Sequence, residues 1–169
     1  TLKDRSKVGS GTFWDESIMP FFTGIYDYTV DSKGRMNIPA SFRKQLSTGQ
    51  ADANVFITLN KIENFTFLCI LTQEHFQAIS SEPSLSSGGP FDPDPAKMRR
   101  FLSIMKEAQD CHYDEQGRLI IPKKFIEKAD IRGQVTIVGA REYIQLWNPD
   151  AFQKYIGNPE SGDAASAAS

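Results

Sequence analysis

Asp31-Ser-Lys-Gly-Arg-Met-Asn-Ile-Pro-Ala-Ser-Phe42 decides the reading of this chain, because the stretch occurs twice. It returns as Asp114-Glu-Gln-Gly-Arg-Leu-Ile-Ile-Pro-Lys-Lys-Phe125 at a constant offset of 83, and six of the twelve positions are identical without a gap. The identities are Asp, Gly, Arg, Ile, Pro and Phe, and Asp27 and Asp110 match four residues upstream. Special residue types coinciding in register mean an internal duplication.

Each copy reads the same way. Residues 22–30 mix aromatic and β-branched types as strands do, and 111–113 do so less clearly. Asp-x-x-Gly then marks a tight turn. Gly34 or Gly117 is free to take a positive φ, and the Asp31 or Asp114 carboxylate can accept turn amides. Short strands are expected at 35–38 and 118–121. Pro39 and Pro122 suit the first turn of a helix, where a missing N–H costs nothing. The helices 39–46 and 122–129 would present Phe42/Leu46 and Phe125/Ala129 to a core at i,i+4 spacing.

The copies continue alike, with apolar runs at 55–59 and 135–139, then second strands at 65–71 and 143–147. Terminal helices begin near Thr72, carrying Phe76, and at Asn148-Pro149, carrying Phe152; Thr72 and Asn148 have the chemistry of N-caps. The unit is β-turn-β-α-β-β-α, twice, with the offset drifting from 83 to 76 through loop length. Between the copies a Ser/Gly/Pro-rich loop at 80–95 leads into a helix at 95–108. Its stripe of Met98, Phe101, Leu102, Met105 and Ala108 is expected to pack on the repeats. The expected organisation is a disordered leader at 1–20, a first repeat at 21–77, a linker loop and helix at 78–104, a second repeat at 105–152 and a tail at 153–169. Met19 would make a sensible start.

Composition bounds the class. A chain of 169 residues with 40% hydrophobic and 24% charged residues is that of an ordinary globular protein. The longest apolar run, 65–71, is strand-sized, far short of the ~20 residues of a membrane helix. With no apolar export segment at the start, the expected location is cytoplasmic. Cys69 and Cys111 then read as buried reduced thiols. His75 and His112 have no cysteine or acidic partner at ligand spacing, so no metal is expected. No serine or cysteine stands in a nucleophile motif, and Gly9-Ser-Gly11 lacks the lysine of a phosphate loop. Neither enzyme activity, cofactor, small-molecule substrate nor membrane partner is expected.

The residues Phe22-Thr-Gly24, the paired Asp31-x-x-Gly-Arg35 and Asp114-x-x-Gly-Arg118, Ile38-Pro39 with Ile121-Pro122, and the ending Val138-Gly139…Leu146-Trp147 resemble the MraZ family. The resemblance covers residues 21–155. It implies a mainly β fold with short helices (α+β), in which two swapped-hairpin units of the AbrB/SpoVT kind interlock in a double-psi-like barrel. It implies a bacterial transcriptional regulator of the division and cell-wall gene cluster, nucleoid-associated, whose partners are double-stranded DNA and further copies of itself in a closed ring.

A net charge of −2 means that any DNA contact must come from local positive charge multiplied by assembly. Residues 27–46 carry Lys33, Arg35, Arg43 and Lys44 against two aspartates, net +2, whereas 110–129 balance to zero. The first copy is therefore expected to form the DNA face, and the second to be nearer a scaffold. Arg35 suits a guanine edge or a phosphate, and Lys33 suits a phosphate. Arg118 is the corresponding candidate in the second turn. Each arginine has a second reading, an internal pair with Asp31 or Asp114 that fixes its turn. The competing function is a ring-forming protein-interaction module with incidental DNA affinity.

Overall fold

The computed structural model describes residues 21–46, 55–80 and 94–157. The expected leader, most of the Ser/Gly/Pro loop and the extreme C-terminal tail lie outside the described residues. The first copy runs β1 (Ile25–Thr29), β2 (Arg35–Met36), α1 (Ala40–Leu46), β3 (Val55–Ile62), β4 (Phe65–Thr72) and α2 (Gln73–Ser80). A connecting helix α3 (Pro95–Glu107) follows. The second copy repeats the series as β5 (Gln109–Tyr113), β6 (Leu119–Ile120), α4 (Lys123–Lys128), β7 (Gln134–Ala140), β8 (Tyr143–Trp147) and α5 (Pro149–Gly157).

The two copies do not fold side by side; they exchange strands. β1 pairs antiparallel with β7 of the other copy, and β5 pairs with β3, so each copy lends its leading strand to its partner. Tyr28 faces Val135 and Cys111 faces Val55. These are the same contact under the repeat, so the exchange is reciprocal. The strand order β1-β7-β8-β4-β3-β5-β6-β2 returns on itself through the Val30–Met36 bridge. A nearly closed, barrel-like sheet with short helices results, a β-rich α+β fold.

A pseudo-two-fold axis follows from the register. Met36 faces Leu119 in the β2–β6 pair, and these are equivalent positions 83 apart. On the other side Cys69 faces Gln145, equivalent positions 76 apart. Between these pairs lies the core, with Phe22, Met36, Phe42, Ile57, Leu119, Phe125 and Ile137 all at most 1% exposed. Alternation puts Leu68, Ile70, Ile144 and Leu146 in that core and turns Phe67, Cys69 and Trp147 to the outer face.

Three local expectations change. Trp147 packs outside the barrel, not within it: its ring stacks on Phe67 at 4.4 Å and on Tyr155 at 5.4 Å, and its Nε1 donates to Gln145 Oε1 at 2.9 Å. The β8 alternation leaves it no inward position. In α3, Leu102 of the expected apolar stripe is 54% exposed, while Ile104 faces a cavity shared with β3 and β4. Met98, Met105 and Ala108 of the stripe are part-buried, so Leu102 alone among its described side chains turns to solvent. Pro39 and Pro122 cap their helices instead of opening them, each carbonyl accepting the first helical amides (Phe42 N at 2.9 Å, Phe125 N at 2.9 Å).

The N-caps take the expected form. Thr72 Oγ1 accepts His75 N at 3.2 Å, and Asn148 Oδ1 accepts Asp150 N and Ala151 N at 2.9 and 3.1 Å. Cys69 and Cys111 are buried free thiols, and burial pushes both up to about 12. No helix among the described residues is long and apolar enough to cross a membrane.

Candidate nucleic-acid interface

The two Asp-x-x-Gly-Arg segments fold identically. In the first, Asp31 Oδ1 accepts the amides of Lys33 and Arg35, both at 2.9 Å, and Oδ2 accepts Arg35 Nε at 2.6 Å. In the second, Asp114 Oδ1 accepts Gln116 N and Arg118 N at 2.9 Å, and Oδ2 accepts Arg118 Nε at 2.7 Å. Backbone bonds close each turn: Gly34 N to Asp31 O and Gly117 N to Asp114 O, both 2.9 Å. Gly34 and Gly117 sit at φ +77° and +74°, which an L side chain tolerates poorly.

These bonds set the electrostatics. The Arg35 amide holds the Asp31 carboxyl below its ordinary 3.8, opposed by desolvation and helped by the Arg35 side chain and the Lys33 amide. The Arg118 and Gln116 amides and the Arg118 guanidinium do the same for Asp114. Each aspartate is therefore a turn-builder, in keeping with the motif. Each arginine takes the internal pair as well. That pair uses Nε–H, one of five guanidinium donors, and the Arg35 side chain remains 32% exposed. Arg118 is 25% exposed. Fixing the turn and contacting a ligand are thus compatible in one side chain.

The surroundings of the turns are exchanged along with the strands. Gly34 packs on the second copy: a methyl built there would clash with Ile121 O and stand 3.2 Å from Ile126 Cδ1. Gly117 packs on the first copy, where the same methyl would stand 3.3 Å from Arg43 Nη1. Arg43 and Ile126 are equivalent positions, 83 apart. The second turn is therefore backed by a guanidinium where the first is backed by an aliphatic chain. Arg43 also neighbours Tyr113, whose phenol is raised by burial and by Cys111, the Arg43 cation pulling the other way.

Charge counted along the chain thus does not describe the charge in space. Lys33 is exposed at the tip of the first turn, beside Arg35. Lys123, contributed by the second copy, lines the same cleft of about 450 Å³ as Lys33, Gly34 and Asp31. Its ion pair with Glu127 spans 3.7 Å between exposed groups and is weak. The Arg43 guanidinium stands against Gly117 of the second turn. Lys44 is exposed on α1. The sequence places Lys123 only in the charge of the second copy; its position beside the first turn is visible once the strands exchange.

Comparison with known proteins bears on the same two segments. The profile of the family described as "MraZ protein, putative antitoxin-like" matches residues 21–87 and 104–168, one segment per copy. The chain belongs to the MraZ family. Among its relatives, a protein of Cytophaga hutchinsonii named transcriptional regulator MraZ is 32% identical over 139 residues, 82% of this chain and 86% of that protein. Proteins of the same name from Bifidobacterium longum and Pediococcus pentosaceus are 29% and 30% identical over 85% and 82% of this chain, and 87% and 89% of their own lengths. The two matched segments of the MraZ family profile each contain one of the two Asp-x-x-Gly-Arg turns.

Proposed function

We propose that this MraZ-family protein is a sequence-specific DNA-binding transcriptional regulator acting in the cytoplasm on nucleoid DNA. In this reading it works as a homo-oligomeric ring at the promoter of the division and cell-wall gene cluster. The observation that carries the reading is the Asp31–Arg35 turn. Its aspartate is consumed by three internal N–H donors, its glycine is locked against Ile121, and its outward cation, Lys33, stands exposed at the tip. A stiff loop presenting charge without needing to be ordered on binding loses little entropy when it meets a phosphate.

Lys33 and Lys123 act on backbone phosphates, and the remaining donors of Arg35 act on a phosphate or a guanine edge. A handful of such interactions per subunit is feeble alone against a net charge of −2. Several subunits on repeated DNA boxes combine them through effective concentration. The test is titration of the intact protein against the DNA upstream of its own gene, with a scrambled duplex as competitor, at ~150 mM salt. Specific binding at ~10⁻⁸ to 10⁻¹¹ M by an oligomer is expected. A monomer, or equal affinity for both duplexes, would overturn the reading.

A further inference from the structure

The seam between the exchanged hairpins has an outer face as well as a core face. Arg35-Met36-Asn37-Ile38 and Arg118-Leu119-Ile120-Ile121 share one burial pattern: half-buried, buried, exposed, buried. Alternation therefore sends Met36, Ile38, Leu119 and Ile121 inward and Arg35, Asn37, Arg118 and Ile120 outward. Arg35 faces Ile120 across the β2–β6 pair. The same register, held at its end by Ile121 N donating to Gly34 O at 2.8 Å, sets Asn37 opposite Arg118. Arg35 and Arg118 are thus diagonal neighbours across the pseudo-two-fold axis, with ~7–8 Å between their backbones. Asn37 and Ile120, equivalent positions 83 apart, lie on the other diagonal.

We propose that Asn37 and Ile120 read bases in the major groove, Asn37 at an adenine and Ile120 at the methyl group of a thymine. This assignment rests on the DNA-binding reading above and names the residues of that interface that choose the sequence. The groove is ~12 Å wide and admits a two-stranded ribbon, which the β2–β6 pair supplies. Each arginine is already oriented by its aspartate, Arg35 Nε to Asp31 at 2.6 Å and Arg118 Nε to Asp114 at 2.7 Å. The guanidiniums are therefore held in place on either side of the reading pair. The Asn37 carboxamide sets a donor beside an acceptor, the complement of adenine N7 and N6. Ile120, 38% exposed, offers aliphatic surface, which matches the 5-methyl group of thymine. Asp110 borders Ile120 and His112 and limits the surface on that side, because a carboxylate repels phosphate. The frame is two-fold symmetric while Asn37 and Ile120 differ, so the chosen sequence is asymmetric about the seam.

The test is selection by the full chain from a pool of randomised DNA duplexes, followed by sequencing of the bound fraction. The native chain should select an asymmetric sequence. Asn37→Ala and Ile120→Ala change exposed positions and should each relax the preference at a single base pair. The loss should be about five- to a hundredfold for Asn37 and about fourfold for Ile120, with affinity for a scrambled duplex and its salt slope unchanged. Replacing the contacted thymine by uracil removes only the methyl group. It should weaken the native protein to the level of Ile120→Ala and leave that variant unaffected. Ile120→Asn makes the seam symmetric and should add an adenine preference at the mirrored position. If the native chain selects a sequence that the folded variants keep undiminished, this assignment falls and the DNA-binding reading stands. If the native chain selects none, both fall.

Discussion

Met36 and Leu119 occupy the same position in the two copies, and they face each other across the β2–β6 pair. Both are essentially unexposed. The pseudo-symmetry axis of the barrel passes between them, at the seam where the exchanged hairpins meet. The seam consists of two short strands and depends on side-chain packing more than on ladder hydrogen bonds. Leu119→Ala is therefore expected to cost about 2–5 kcal/mol in urea unfolding. Met36→Leu, which makes the pair identical at nearly constant volume, should cost less than ~1.5 kcal/mol. A small effect of Leu119→Ala would remove the seam from the core.

Gly34 and Gly117 share a positive φ but not a neighbourhood. Gly34→Ala drives a methyl into the Ile121 carbonyl, which is backbone and cannot yield without moving the seam. Gly117→Ala meets only the end of Arg43, a flexible side chain. Both carry the left-handed penalty of ~1–2 kcal/mol. Gly34→Ala should exceed it clearly, and Gly117→Ala should stay near it. Thermal melts of the two variants would check the order; equal losses would contradict the packing difference.

Arg35→Ala is expected to abolish discrimination between the protein's own upstream DNA and a scrambled duplex, with the oligomer's mass unchanged in sedimentation. A single guanine contact carries ~1–3 kcal/mol of discrimination, which the subunits of the proposed oligomer would add together. Lys33→Ala and Lys123→Ala should weaken both duplexes alike. Each should also reduce the magnitude of the log–log salt slope by about 0.9 for every phosphate it leaves unneutralised. An intact Arg35→Ala oligomer that still selects its site would defeat the assignment.

Arg43→Ile installs the residue that backs the first turn behind the second. Because Ile126 is accommodated at the equivalent place, the barrel should stay folded. If the second turn also meets DNA, the salt slope should fall. An unchanged slope in a folded protein would confine DNA contact to the first turn.

Acid should act on both turns together. The Asp31 and Asp114 carboxyls lie below their ordinary 3.8 in the folded protein. Their contribution is thus fully present above 3.8 and is lost as pH falls through the depressed folded values. Stability arising from these groups should be flat at neutral pH and should decline only in stronger acid. Replacing both by Asn should flatten that acid limb in urea melts performed across pH; an unaltered limb would mean that other carboxyls dominate.

Much was legible in the residues. The duplication, the two Asp-Gly-Arg turns, the N-caps at Thr72 and Asn148 and the β-rich class all follow from local chemistry, since turns and caps depend on residues within a few positions of one another. The aspartate–arginine pairs belong here too: four residues separate the partners, so the motif itself carries the contact.

Other features needed the barrel. Trp147 lies outside, and α3 turns Leu102 to solvent, because burial of an amphipathic segment is settled by what it packs against. Arg43 reaches the second turn, and Lys123 reaches the first, because leading strands cross between copies and bring each helix to the other's hairpin. Hydrophobic and charge patterns specify which groups must be sheltered or exposed within a segment. Which segment does the sheltering, 83 residues away, is decided only when the chain closes on itself.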